Sequence, residues 1–246
     1  MKKILILLLI FIGIGSAAAG WFYVSLRELD ASPIKKCLKT KMYGRWLCPG
    51  SENYVRLSEI SPITVKSIIV SEDSSFYGHD GFDWYEIKES FWRNWERGEF
   101  ARGGSTITQQ LAKNVFLTSE KSILRKAKEA YLAKQIEEIL SKNQIIERYL
   151  NVIEFGPNLF GIKAAAAHYF NKTPTELGIL ESAFLTFLLP NPKKYSQSFR
   201  KAQLSEFAAK RIRQVIKTLG RFNEISEYEL ELALEEVDNY PWDDPI

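Results

Sequence analysis

The sequence is poor in residues that hold metals, with two cysteines and two histidines in 246 residues. His79 and His168 stand far apart and no Cys/His cluster shows ligand spacing, which argues against a structural zinc site. An excess of one charge is also missing. Lys and Arg total 33, Asp and Glu 30, and the net charge is +3, so bulk electrostatics give no case for a nucleic-acid partner. There are no internal repeats, no low-complexity tract and little β-type alternation, which disfavours solenoids and sheet-rich folds. Ser198 and Lys201 match Ser-x-x-Lys, but the companion motifs of acyl-transfer enzymes that use it are absent, so the match is treated as chance.

What is present is a long apolar start. Residues Ile4 to Leu26 carry no charge, and Trp21, Phe22 and Tyr23 lie near the far end. As a helix this run spans roughly 34 Å, enough to cross a hydrocarbon layer of about 30 Å, with the aromatics at the interface. Ala17-Ala18-Ala19 also fits a signal-peptide cleavage site, but the apolar run continues past it, which favours an uncleaved anchor. Lys2 and Lys3 favour a cytoplasmic N-terminus. Arg27, Lys35, Lys36, Lys39 and Lys41 argue the other way, although a large domain translocates largely regardless of such charge. The expected division is a cytoplasmic tail at 1–3, a transmembrane anchor at 4–26, a polar basic connector at 27–60 and a domain at 61–246. Cys37 and Cys48 in the connector either close a small disulfide loop or remain two thiols.

With 46% hydrophobic residues, the remainder is long enough for one domain with a sizeable core. Ser61-Pro62 starts a helix. Ser141 with Gln144, Thr173 with Glu176, and Ser226 with Glu229 read as capping boxes; the second precedes an apolar helix that Pro190 stops. A helix from about Phe199 to Gly220 is expected between them. The domain is therefore expected to be mainly α. Trp84, Tyr85, Phe91, Trp92 and Trp95 are either core or a membrane-surface patch, and Arg102-Gly103-Gly104 is a turn or a point of close ligand approach.

Carboxylates are the remaining source of chemistry. Glu72 and Asp73 end an apolar helix and precede Phe76 and His79. An acid so placed can be desolvated into a useful base, or it can simply solvate a helix end. On a helix from about Glu120 to Leu140, Ile123, Leu124, Ala127, Ala130 and Tyr131 form one apolar face. Lys121, Arg125 and Lys128 fall opposite, with Glu129 at the edge of that stripe. The stripe either holds a phosphate-bearing ligand or is an ordinary solvated face.

A resemblance bears on these alternatives. Glu72-Asp73-Ser74-Ser75-Phe76-Tyr77-Gly78-His79-Asp80-Gly81-Phe82-Asp83 resembles the first motif of the peptidoglycan glycosyltransferases of glycosyltransferase family 51. Gly103-Gly104-Ser105-Thr106-Ile107-Thr108-Gln109-Gln110-Leu111-Ala112-Lys113-Asn114 resembles the second, and Arg125-Lys126-x-x-Glu129 with Ala133 and Glu137 the third. Ile146-Glu147-Arg148-Tyr149-Leu150-Asn151, then Gly156, Gly161 and Tyr169-Phe170, is similar to the fourth. Leu177, Glu181, Ala183 and Pro190-x-Pro192-x-x-Tyr195 is similar to the fifth. The motifs cover about residues 60–198 in the family's order. Asn158, Lys121 and Gln197 depart from the pattern, where Gly, Arg and Pro are frequent.

The resemblance implies a lysozyme-like helical glycosyltransferase domain that polymerises lipid II into β-1,4-linked glycan, with inversion, from an undecaprenyl-pyrophosphate donor. It implies Glu72 as general base and Glu129 as second carboxylate. Asp73, Phe76, His79, Ser105, Thr106, Gln109, Gln110, Lys113, Lys121, Arg125 and Lys128 would bind substrate. No cofactor or dedicated metal site is required by it, with magnesium or manganese as an optional bridge at the pyrophosphate. The implied partners are lipid II, the growing glycan, the membrane and other cell-wall synthesis proteins. The implied place is the cytoplasmic membrane, in a single pass with the catalytic domain outside. The competing expectations are a lysozyme-like enzyme that cleaves glycan and an inactive membrane-anchored scaffold.

Overall fold

The computed structural model describes residues 2–97 and 104–241. Helix α1 covers Lys2–Arg27. Phe11, Ile14, Trp21 and Tyr23 on it are each at least 60% exposed. Among the described residues no helix is long and apolar enough to cross a membrane; the side chains of 1–10 lie outside that set.

Strands β1 (Leu38–Lys39) and β2 (Trp46–Leu47) pair antiparallel, and Cys37 and Cys48 are joined by a disulfide beside them. The turn between the strands docks on the rest of the chain through Lys41 N–H to Val115 O (2.8 Å). The 27–60 stretch does not lie free of the domain: Ala31, Ile34, Leu47, Tyr54, Val55 and Ile60 enter the core. A crosslink 11 residues apart restricts the unfolded chain by about 3 kcal/mol. Replacing both cysteines by serine is expected to lower stability by about that much, read as a lower denaturant midpoint that reductant no longer affects.

The helices that follow are α2 (Pro62–Glu72), α3 (Trp84–Arg97), α4 (Ile107–Phe116), α5 (Ile123–Ile139) and α6 (Lys142–Val152). A hairpin of β3 (Glu154–Gly156) and β4 (Leu159–Phe160) leads to α7 (Ile162–Phe170) and α8 (Ile179–Leu188). Short α9 (Pro192–Tyr195) and α10 (Gln197–Arg200) precede α11 (Glu206–Arg221) and α12 (Glu227–Glu236). The mainly helical expectation holds. Asn158 turns the hairpin at φ 60°, as its tolerance of left-handed backbone allows.

Caps explain most starts. Ser141 and Gln144 box α6, and Ser226 and Glu229 box α12, as their spacing predicts. Two expectations are corrected. The Thr173/Glu176 box closes only a 3-10 turn, and α8 starts at Ile179, where Glu181 accepts from Gly178 N–H. The helix expected from Phe199 breaks after Arg200, and Ser205 caps a new one by accepting from Ala208 N–H.

Two packings position the site. Helix α2 lies on α8 with a buried pair of hydroxyl contacts, Thr64 to Ser182 (2.7 Å) and Ser67 to Thr186 (2.8 Å). Both residue numbers rise together, so the helices run parallel and the C-terminal end of α2 is fixed in register. Helix α4 packs between α5 and α6. The buried line of α5 is Glu129, Leu132, Ala133 and Ile136, whereas Ile123 is 92% exposed. This corrects the apolar face read from the sequence: contact with α4 selects a face that carries a carboxylate.

Candidate active site

Glu72 is the last residue of α2 and faces a cleft whose lining includes Ser74, Asp83, Glu86, Gly104 and Ser105. It is half-buried, and burial pushes its carboxyl above the ordinary glutamate value. A hydrogen bond from Gln110 and the charges of Lys113 and Arg211 oppose that shift, while Asp73 adds to it. Gln110 Nε2 donates to Glu72 Oε2 (2.9 Å). The Gln110 amide is itself oriented, because Tyr149 Oη donates to its Oε1 (3.1 Å). Tyr149 is buried and its phenol is held well above its usual value, first by burial and then by the charges of Glu72 and Asp73, so it stays a donor.

Glu129 is buried on α5. Arg125 Nη1 donates to its Oε2 (2.6 Å), and Lys126 Nζ donates to its Oε1. Lys126 also donates to Ser105 Oγ (2.8 Å) and so ties α5 to the loop before α4. Lys113 is half-buried on α4. Burial lowers its ammonium below the usual lysine value; the charge of Glu129, and less strongly that of Glu72, raises it, while Arg125 and Lys126 lower it. Lys113 is thus under the charge of both carboxylates, Glu129 more strongly than Glu72. The arrangement has a desolvated base under the charge of Lys113 and a second carboxylate paired with Arg125 and Lys126, which suits transfer from a donor whose leaving group is anionic.

Several other expected residues are engaged in holding the loop. Asp73 Oδ2 accepts from Ile107 N–H at the start of α4 (2.9 Å), and its Oδ1 accepts from His79 Nε2 (2.8 Å). Gly81 N–H donates to His79 Nδ1 (3.1 Å), which places the imidazole proton on Nε2. Thr106 and Gln109 form a capping box with each other, and Thr106 Oγ1 donates to Gly81 O (2.8 Å). Gly81 has φ +87°, a conformation side chains rarely adopt, and a Cβ there would crowd the Glu137 side chain at 3.2 Å. Phe76 is fully buried beneath this loop, with Lys142 Nζ 4.5 Å from its ring centroid. Lys121 is exposed ahead of α5 and Lys128 is half-buried on it. The cations bound to Glu129 are Arg125 and Lys126. Arg102 and Gly103 lie outside the described residues.

Asp73 thus has two donors converging on one carboxylate. Asp73→Asn can keep an oxygen toward only one of them, leaving an amide N–H against a donor. The variant is expected to lose about 2 kcal/mol of stability in denaturant unfolding, with activity falling in parallel.

Two features were not legible as site components. Lys126 stands in a motif, but its bridge from Ser105 to Glu129 depends on a turn between distant segments. Tyr149 reads as an apolar helix position. The other polar residues of the fourth motif hold the early chain instead. Glu147 accepts from Tyr54 Oη (2.6 Å) and Leu57 N–H (2.8 Å), Arg148 donates to Ile34 O (3.1 Å), and Asn151 pairs with the Val55 backbone.

Comparison with known proteins agrees with the geometry. The family model described as transglycosylase matches residues 41–220. The biosynthetic peptidoglycan transglycosylase of Methylobacillus flagellatus is 40% identical over 159 residues, 62% of this chain and 69% of the relative. That of Dechloromonas aromatica is 45% identical over 152 residues, covering 62% of this chain and 65% of the relative, just under two thirds. The Acinetobacter baumannii (strain SDF) protein of the same name is 38% identical over 207 residues, covering 79% of this chain and 88% of the relative. These names do not favour the glycan-cleaving or scaffold alternatives. The chain belongs to the transglycosylase family.

Proposed function

We propose that the protein is a peptidoglycan glycosyltransferase that polymerises lipid II into β-1,4-linked glycan with inversion at the donor carbon. The observation that carries this is Glu72, desolvated and oriented by Gln110, together with a buried Glu129 paired with Arg125 and Lys126, the charge of Lys113 acting on Glu72 and that of Glu129 on Lys113. Glu72 takes the proton from the acceptor 4-hydroxyl as that oxygen attacks the donor anomeric carbon. The bond to the diphosphate breaks, and its growing negative charge is met by Lys113, Arg125 and Lys126. Glu129 holds Arg125 and Lys126 in place. Among the described residues no group of three or more His, Cys, Asp or Glu is placed to hold a metal ion.

Helix α1 serves as the membrane anchor in this reading, with the catalytic domain outside the cytoplasm. Its uncharged run and exposed apolar side chains support the anchor, and the disulfide supports an oxidising side. Trp84 and Tyr85, each 71% exposed, and Trp92, 50% exposed, would rest on the same surface; the side chains of Phe91 and Trp95 lie outside the described set. Confinement of enzyme and lipid substrate to one surface raises their effective concentration.

The test is incubation of the purified protein with lipid II, with products resolved by length. Long, lysozyme-sensitive polymer is expected. Shortening of preformed glycan without new polymer, or no reaction, contradicts the proposal.

A further inference from the structure

Almost no free chain separates helix α1 from the domain. The helix ends at Arg27, and hydrogen bonds continue past it, from Glu28 N–H to Val24 O (3.2 Å) and from Leu29 N–H to Leu26 O (3.0 Å). Leu29 is also where the domain takes hold. On α5, the Gln135 amide grips the backbone on both sides of Asp30: its Nε2 donates to Leu29 O (3.0 Å), and its Oε1 accepts from Ala31 N–H (2.9 Å). Asp30 in turn accepts from Ser32 N–H (2.8 Å) and Ser32 Oγ (2.7 Å). Ala31 and Ile34 are fully buried, and Arg148 on α6 donates from Nε to Ile34 O (3.1 Å). Each residue from Glu28 to Ser32 is thus held by a hydrogen bond.

One amide that satisfies a C=O and an N–H two residues apart acts as a neighbouring strand would, and fixes the backbone whatever its side chains are. Gln135 stands on the helix that carries the cations paired with Glu129. Along α5 it lies roughly 9 Å beyond Glu129 and roughly 15 Å beyond Arg125, at 1.5 Å per residue. The clamp therefore sets how far Arg125 and Lys126 stand from the point where α1 ends. A free linker would not, since six flexible residues wander about 13 Å, nearly the whole span from Gln135 to Arg125.

We propose that Gln135 is a positioning residue: it clamps the exit of α1 to α5 and so holds the cations of the site at the level of a diphosphate borne by the bilayer. Helix α1 is then a strut and not a tether. This rests on the reading of α1 as a membrane anchor and of the protein as a lipid II polymerase.

The test places the full chain in liposomes and compares lipid II embedded in the bilayer with an analogue whose short prenyl chain leaves it water-soluble. Insertion of three Gly-Ser pairs between Arg27 and Glu28 leaves the clamp and the domain intact and frees only the anchor. It is expected to lower kcat/KM for embedded lipid II roughly tenfold, and to change that for the soluble analogue less than about twofold. Gln135→Leu keeps the size of the side chain and removes both hydrogen bonds, and it should show the same contrast. Combined with the insertion it should add little, because the coupling is already broken. An unchanged rate on embedded lipid II after the insertion, a loss equal for both substrates, or losses that multiply in the combined variant overturns the inference. Wild-type protein that does not float with liposomes defeats the anchor reading, and one that forms no polymer defeats the function; the inference falls with either. Where wild type does both, the insertion decides this inference alone.

Discussion

Glu72→Gln is expected to lower the polymerisation rate by about a thousandfold, within the 10²–10⁴ range for a positioned general base, while lipid II still binds. The amide keeps the size of the side chain and a partner for Gln110, but it cannot take the acceptor proton. The same substitution is expected to raise thermal stability. Burial raises the folded-state pKa of Glu72 above its ordinary value, so folding favours the protonated form. That contribution is fully present below the ordinary glutamate pKa and is lost as pH rises through the folded-state value. At neutral pH the ionised, desolvated carboxylate is therefore a cost that Gln removes. The gap in Tm between variant and wild type should be small near pH 4 and larger near pH 8. A variant that is inactive and also less stable at pH 8 would point to a structural role for Glu72 instead.

Lys113→Met is expected to reduce kcat by about 10²–10³-fold, the scale for losing one preorganised charge at a developing anion. The charges of Glu129 and Glu72 oppose the lowering of the Lys113 pKa by burial. Removing Lys113 has a second consequence with a definite sign. Lys113 lowers the Glu72 pKa, so without it that pKa rises and the acid limb of the rate profile moves to higher pH. Lys113→Arg keeps the charge and should leave the limb near its original position, even if the longer planar group slows the reaction. Steady-state rates from pH 5 to 9 for the three proteins distinguish loss of charge from loss of shape.

Local signals were the most legible. Ser-x-x-Gln at Ser141 and Ser-x-x-Glu at Ser226 give helix starts because a cap is settled within four residues. The box at Thr173 has the same spacing yet opens only one turn, since Gly178 interrupts and Glu181 makes its own cap. The face of α5 was not legible. Periodicity favours Ile123 and Leu124, while packing on α4 buries Glu129, whose charge is compensated by Arg125 and Lys126. The motif resemblance supplied the identities of Glu72 and Glu129. The orientation of Glu72 depends on Tyr149 through Gln110, by contacts between segments far apart in sequence. The motifs also mix roles that spacing cannot separate. Asp73, His79, Thr106 and Gln109 are hydrogen-bonded into the loop, and Glu147, Arg148 and Asn151 hold the segment before α2.

The central claim is that a desolvated Glu72 accepts the acceptor proton, and it is tested most directly by the single-turnover rate of glycosidic bond formation as a function of pH. For wild type, the rate should rise with pH through an apparent pKa above the ordinary glutamate value of 4.5 and then level. In Gln110→Leu, which removes the hydrogen bond favouring the carboxylate, that limb should lie at higher pH still. A rate independent of pH between 5 and 9 in both proteins, or a limb that Gln110→Leu leaves in place, would contradict the account.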